Sequence, residues 1–211
     1  MTVTNRFLRA LLDVFFPRAL YCAICGEEVQ KAARCVCDTC RAKLPLHPPA
    51  LKNIEHIDTL HAAFFYKDPI RSSIHRFKYD NRRYLARFFA LEIAQLPLEG
   101  DVLVPVPLHK NREKMRGFSQ TVELCCEISR ITGKPWENCM KRIKDTQSQA
   151  TLNAMQRRVN LEGAFVAGSA VKGRRIILVD DVSTTGATLR NCAAAAKAAG
   201  AKSVSALVVA R

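Results

Sequence analysis

The chain has 211 residues, 48% hydrophobic and 7% aromatic, enough for one medium α/β domain with a small appendage and too few for several large domains. Lysine and arginine number 33 against 19 acids, a formal charge of +14. The excess is clustered at 71–87, 110–116, 141–144 and 172–175, which argues for an anionic partner, although a solvated basic face would explain any one cluster.

In residues 1–20, Phe7, Leu8, Leu11, Leu12, Phe15 and Phe16 recur at helical spacing, while Arg6, Arg9 and Asp13 interrupt the apolar run. That pattern excludes a transmembrane span and lacks the long apolar core and cleavage site of a signal peptide, so a cytoplasmic location is expected. Pro17 ends the amphipathic helix. The helix either packs on the main domain or docks on a partner or a membrane surface.

Residues 21–48 carry two Cys-x2-Cys knuckles, Cys22/Cys25 and Cys37/Cys40, separated by eleven residues. Four thiolates at this spacing suit one tetrahedral zinc ion, which would order a segment too short for a core of its own. Cys35 is the surplus cysteine and is expected to be a bystander, because Cys-x-Cys does not make the same knuckle. Disulfides are the alternative, but nothing else in the chain points to an oxidising compartment. Cys125, Cys126, Cys139 and Cys192 lie in apolar helical surroundings and read as free thiols.

The prolines of Leu44-Pro-Leu-His-Pro-Pro49 mark a stiff linker, after which a main domain is expected over 49–211. Strands are expected at 59–66, 101–105, 163–166, 175–180 and 203–210, and helices at 69–79, 82–95 and 119–131. A further helix over 187–199 is closed by Gly200. Strands alternating with helices predict an α/β fold with a mostly parallel sheet and helices on both faces, its ligands gathering at the carboxyl ends of the strands. A lone lysine in Phe77-Lys78-Tyr79 is expected to snorkel to solvent rather than touch a ligand. No internal repeat or low-complexity segment is evident.

The most informative stretch is Ile176-Ile177-Leu178-Val179-Asp180-Asp181-Val182-Ser183-Thr184-Thr185-Gly186-Ala187-Thr188. Its aliphatic run suits a central strand buried on both faces. The loop that follows opens a helix, where unpaired N–H groups and the helix dipole face an anion and Gly186 permits close approach. Two adjacent carboxylates at the strand end repel unless a cation or sugar hydroxyls use them, which points to a ribose held with magnesium.

These residues resemble the motif by which type I phosphoribosyltransferases bind phosphoribosyl pyrophosphate (PRPP). The resemblance implies that Asp180 and Asp181 hold the ribose hydroxyls, and that Ser183, Thr184, Thr185, Gly186, Ala187 and Thr188 hold the 5′-phosphate. With the cysteine knuckles the chain as a whole resembles the ComF family, which includes the ComF/ComFC competence proteins and GntX-like proteins. Between the ends the likeness is carried by Phe77-Lys78-Tyr79, Val104-Pro105-Val106-Pro107-Leu108, Arg116-Gly117-Phe118-Ser119-Gln120 and Gly163-Ala164-Phe165. Ser119 stands where the family usually has asparagine. The likeness implies a type I phosphoribosyltransferase-like domain behind an N-terminal zinc ribbon. It further implies a pyrophosphate loop with Lys110, Arg112 and Arg116, and a mobile loop over 141–160 offering Arg142 and Gln149. The function implied is PRPP or sugar-phosphate binding with magnesium and handling of single-stranded DNA in natural transformation. Phe118 and Trp136 would be the stacking surfaces. An orphan phosphoribosyltransferase acting on a base or amine is the competing class; no acceptor pocket and no Ser/His/Asp or Cys/His nucleophile is legible.

Overall fold

The computed structural model describes residues 21–29, 35–47, 54–108, 110–143 and 163–211, without the side chains of Lys110 and Arg112. The expected helix over 1–20 lies outside these residues. The chain divides into two compact units, Met1–Leu44 and Pro45–Arg211, so the division falls ahead of the boundary expected after residue 48. Pro45 and His47 already bond to the second unit's first strand, through Phe65 N–H to the Pro45 carbonyl and His47 N–H to that of Ala63.

In the second unit, strands β1 (Thr59–Phe64), β2 (Val102–Pro105), β5 (Arg175–Val182) and β6 (Ser203–Ala210) form a sheet in the order β1-β6-β5-β2. All of its pairings are parallel. The central position of β5 follows from its sequence: Ile176, Ile177, Leu178 and Val179 are all fully buried, so successive side chains face apolar layers on both sides. Burying such a side chain contributes roughly 1.5–3 kcal/mol, and no exposed edge would use four in succession.

Helix α6 (Ala187–Ala198) covers one face, its small side chains Ala193 and Ala196 packing with Leu178, Val204 and Ala206 in one cluster. Helices α3 (Leu85–Ile93) and α5 (Gln120–Thr132) pack on each other, with α3 against β6 and α5 against β2 and β5. Helix α2 (Ile70–Tyr79) joins β1 to α3.

Two unexpected elements bear on the site. Residues 110–116 form a helix, α4 (Lys110–Arg116), rather than a basic turn. Met140–Arg142 is a strand, β3, paired antiparallel with β4 (Phe165–Ala167) outside the main sheet. Arg142 therefore sits on paired backbone and not in a mobile loop, while Gln149 lies outside the described residues.

In the first unit, Tyr21 and Glu28 pair across a tight turn in which Gly26 adopts φ +81°, a backbone region that side chains other than glycine rarely enter. Cys37 caps the helical turn α1 (Asp38–Arg41), its sulfur accepting the Cys40 N–H.

Candidate sugar-phosphate site and cysteine cluster

The site begins where β5 ends. Asp180 and Asp181 are consecutive just before the last residue of the strand, Val182, and Asp180 Oδ1 accepts the Asp181 N–H at 2.8 Å, which fixes the first carboxylate against the backbone. Ser183 is held in line by its N–H to the Ala210 carbonyl. Its side chain is buried, and its hydroxyl is without a hydrogen-bond partner among the described residues. Gly186 then takes φ +74°, and a Cβ there would lie 2.6 Å from Ile54 Cδ1. The turn into α6 thus requires glycine for both conformation and space.

Residues Ser183 to Thr188 line a small cavity of about 60 Å³ together with Asp180. Its wall is the amino terminus of a twelve-residue helix, where backbone N–H groups and the helix dipole favour an anion. Thr184 and Thr185 are exposed, whereas Ala187 contributes buried backbone.

A second cavity, about 170 Å³, adjoins it through Asp180 and Thr188. Lys78, Arg116, Gln120, Arg142 and Asp181 also line it, so residues from four helices and two strands converge at the carboxyl end of β5. Lys78 does not snorkel to solvent. Its Nζ lies 2.8 Å from Asp181 Oδ1, with both side chains mostly buried. Burial works against the ammonium, but the Asp181 and Asp180 charges outweigh it and raise the Lys78 pKa. Burial, then the Asp181 charge, push the Asp180 carboxyl up to about 8 against the smaller opposing pull of the Asp181 N–H and Lys78. With one lysine serving two acids, the pair would carry its second negative charge only against further positive charge, and two adjacent carboxyl groups of this kind fit magnesium in chemistry.

Arg116 donates to Gln120 Oε1 at 2.6 Å and to the Tyr79 hydroxyl at 3.2 Å, and its guanidinium lies over the Tyr79 ring. Gln120 is almost fully buried, and its Nε2 has no partner among the described residues. A buried donor without an acceptor costs about 1–3 kcal/mol, so a donor lining a cavity is suited to a ligand oxygen. Of the three expected pyrophosphate-loop residues, the structure brings Arg116 to the acids; the side chains of Lys110 and Arg112 lie outside the described set.

The acceptor pocket that sequence reasoning could not locate has a structural candidate. A cavity of about 590 Å³ lies beside the acid pair's chamber and shares Val106, Pro107, Leu108, Thr121 and Arg142 with it. Ser119, which stands where the resembled family usually has asparagine, lines this larger space and sits 3.1 Å from the Thr121 hydroxyl. Phe118, anticipated as an exposed stacking surface, is instead buried beneath the Arg83 guanidinium, because it packs on Phe77 of α2. Trp136 is partly buried and bridges to Leu103 of β2.

In the first unit the sulfurs of Cys22, Cys25, Cys37 and Cys40 all lie within 4.8 Å of one another. The Cys25–Cys37 separation is 3.8 Å, the edge of a tetrahedron whose metal–sulfur bonds are about 2.3 Å. Burial works against the Cys22 thiolate, but N–H donors at Cys25, Cys37 and Ile24 hold its pKa down to about 6. Burial and the neighbouring thiols push Cys40 up to about 12. Four thiolates therefore cannot form together without a cation, and the donor set fits zinc. Cys35 is outside the group; it takes φ +57°, and its carbonyl accepts the Ala23 N–H.

Comparison with known proteins bears on the family and the fold. The family profile described as Phosphoribosyl transferase domain matches residues 140–211. Competence protein F of Haemophilus influenzae is 36% identical over 183 residues, covering 80% of this chain and 75% of that protein. DNA utilization protein YhgH of Escherichia coli K12 is 36% identical over 141 residues, 61% of each chain. Competence protein ComFC of Bacillus subtilis is 25% identical over 190 residues, 82% of this chain and 76% of its relative.

Proposed function

This chain belongs to the ComF family, with a phosphoribosyltransferase-like fold, and we propose that it binds PRPP or a related sugar phosphate with magnesium and handles single-stranded DNA in natural competence. The observation that carries the sugar-phosphate reading is the meeting of the Thr-Gly turn, the acid pair and Arg116 around two adjoining cavities. In this reading the turn from Ser183 to Thr188 takes the 5′-phosphate through N–H and hydroxyl donors. Asp180 and Asp181 take the ribose hydroxyls, and Arg116 with Gln120 takes pyrophosphate oxygens. Magnesium, when bound, would neutralise the acids and the diphosphate together. The names of the relatives, competence and DNA utilization proteins, support the DNA role. Zinc held by Cys22, Cys25, Cys37 and Cys40 would order the first unit.

Calorimetric titration with PRPP and magnesium tests the site. One saturable site weakened at least tenfold by Arg116→Ala is expected; equal affinity in the variant would remove Arg116 from the site.

The cavity of about 590 Å³ favours a second reading, a phosphoribosyltransferase whose acceptor base or amine occupies that space. There, the acceptor nitrogen would displace pyrophosphate from the anomeric carbon, and the chain's residues would supply positioning and charge. Pyrophosphate release across a panel of bases and amines separates the readings: turnover makes the protein an enzyme, and its absence leaves a binding protein.

A further inference from the structure

Three segments converge on one exposed corner beside the acid pair's chamber. They are the carboxyl end of α2, the turn from Asp80 to Tyr84, and the end of α4. Tyr79 through Tyr84 are all exposed, with Tyr79 at 53% and Tyr84 at 44%. Arg116 lies over the Tyr79 ring at 4.9 Å, and His75 meets the same ring at 4.7 Å. Arg83 lies over Phe118 at 4.6 Å and donates to the Gly117 carbonyl, which ties the turn to α4. The corner is mainly positive: residues 71–87 carry six Lys or Arg against the single acid Asp80, and Glu123 of α5 lies 3.6 Å from Arg83.

We infer that this corner, centred on Tyr79, Arg82, Arg83 and Tyr84, is where the protein binds single-stranded nucleic acid, with the strand running past the mouth of the sugar-phosphate chamber. The inference rests on the DNA-handling reading above and adds its location. Single strands are held by base stacking on aromatic rings and guanidinium planes, combined with cations that follow the phosphates. Both are present here, and they are already ordered. Arg83 is half exposed while its guanidinium rests on a buried ring, so little side-chain freedom is lost when a base stacks on it. Arg82 is exposed, and no ion pair with an acid ties it among the described residues. Continuity with the chamber comes from Arg116, which contacts Tyr79 and lines the cavity, and from Lys78, whose neighbour in sequence is Tyr79. The rings that the sequence suggested for stacking, Phe118 and Trp136, are the less exposed ones.

The test is fluorescence anisotropy of a labelled oligothymidylate with the full chain across a salt series. Wild type is compared with Tyr84→Ala, with Arg82→Glu combined with Tyr84→Ala, and with Lys202→Glu as a charge-reversal control at the amino edge of β6. Tyr84→Ala should weaken binding about tenfold, the scale of one lost base stack. The combined variant should lose more and show a shallower dependence on salt, while Lys202→Glu stays within about twofold of wild type at matched ionic strength. Thermal midpoints confirm that each variant is folded. Wild-type affinity in the combined variant would overturn the location while leaving DNA binding intact. An equal loss in Lys202→Glu would overturn it too, by showing diffuse charge attraction. No binding by the wild type would overturn the DNA-handling reading itself.

Discussion

Lys78 is the residue whose role depends most on the fold. It is 103 positions from Asp181 in sequence and 2.8 Å away in space, and nothing local in a Phe-Lys-Tyr string announces that contact. Removing the ammonium while keeping the carboxylates leaves negative charge in a mostly buried site. Lys78→Met is therefore expected to lower unfolding stability by about 1–3 kcal/mol, the cost of a buried polar group left unsatisfied. Adding Asp181→Asn should return part of that loss, because the pair is coupled. Urea unfolding of the four proteins in this cycle measures it; additive losses would show that Lys78 and Asp181 act independently. At the cysteines the prediction is qualitative. Cys37→Ser should lower the zinc content of purified protein, and Cys35→Ser should leave it near one ion per chain, as metal analysis would show. The reverse pattern would exchange the two residues' roles. Cys35 was separable from Cys37 by spacing alone, and the structure keeps it outside the cluster.

At the level of elements, legibility followed the strength of the hydrophobic pattern. β6 spans Ser203–Ala210 as expected, and β5 continues two residues past Asp180 because pairing with β6 carries its backbone to Val182. β3 was not legible. Three residues of Met-Lys-Arg have no alternation to read, and the strand exists because β4 pairs with it. α4 was missed for a related reason: Lys110–Arg116 consists largely of good helix formers but offers no apolar stripe, so charge dominated its reading. The sheet's amino edge carries a device that a titration can isolate. Asp101 accepts the Arg175 N–H, Nε and Nη2, tying the start of β2 to the start of β5. The Arg175 side chain first, then its N–H, hold the Asp101 carboxyl down to about 2. A depressed carboxyl contributes stability above its unfolded pKa of about 4 and loses it as pH falls through about 2. Asp101→Asn should therefore flatten the acid limb of the thermal midpoint between those values and leave its slope near neutrality unchanged. An acid limb identical to that of wild type would remove this tie from the acid response.

On the scale of the whole molecule, a parallel sheet fixes where ligands can collect. β2 and β5 are parallel neighbours, so the ends of both, Pro105 to Pro107 and Asp180 to Val182, open on the same side. The Thr-Gly turn and the acid pair were legible because strand, turn and helix are contiguous in sequence. Gln120, Lys78 and the larger cavity were not, because helices α2 and α5 bring their residues in from distant positions. The positive charge that composition reports as an average is distributed unevenly, with Arg116, Arg142 and Lys78 around two carboxylates. The most direct test of the account is the thermal midpoint with and without PRPP and magnesium, in wild type and in Asp180→Asn with Asp181→Asn. A ligand that binds only the native state raises the midpoint by mass action, by about 2.7 kcal/mol of stability at a hundredfold excess over its dissociation constant. A rise is expected in the wild type and none in the folded double variant, since the amides keep size but lose the charge that orders the ribose. A rise of equal size in the double variant would place PRPP elsewhere and contradict the assignment of this site.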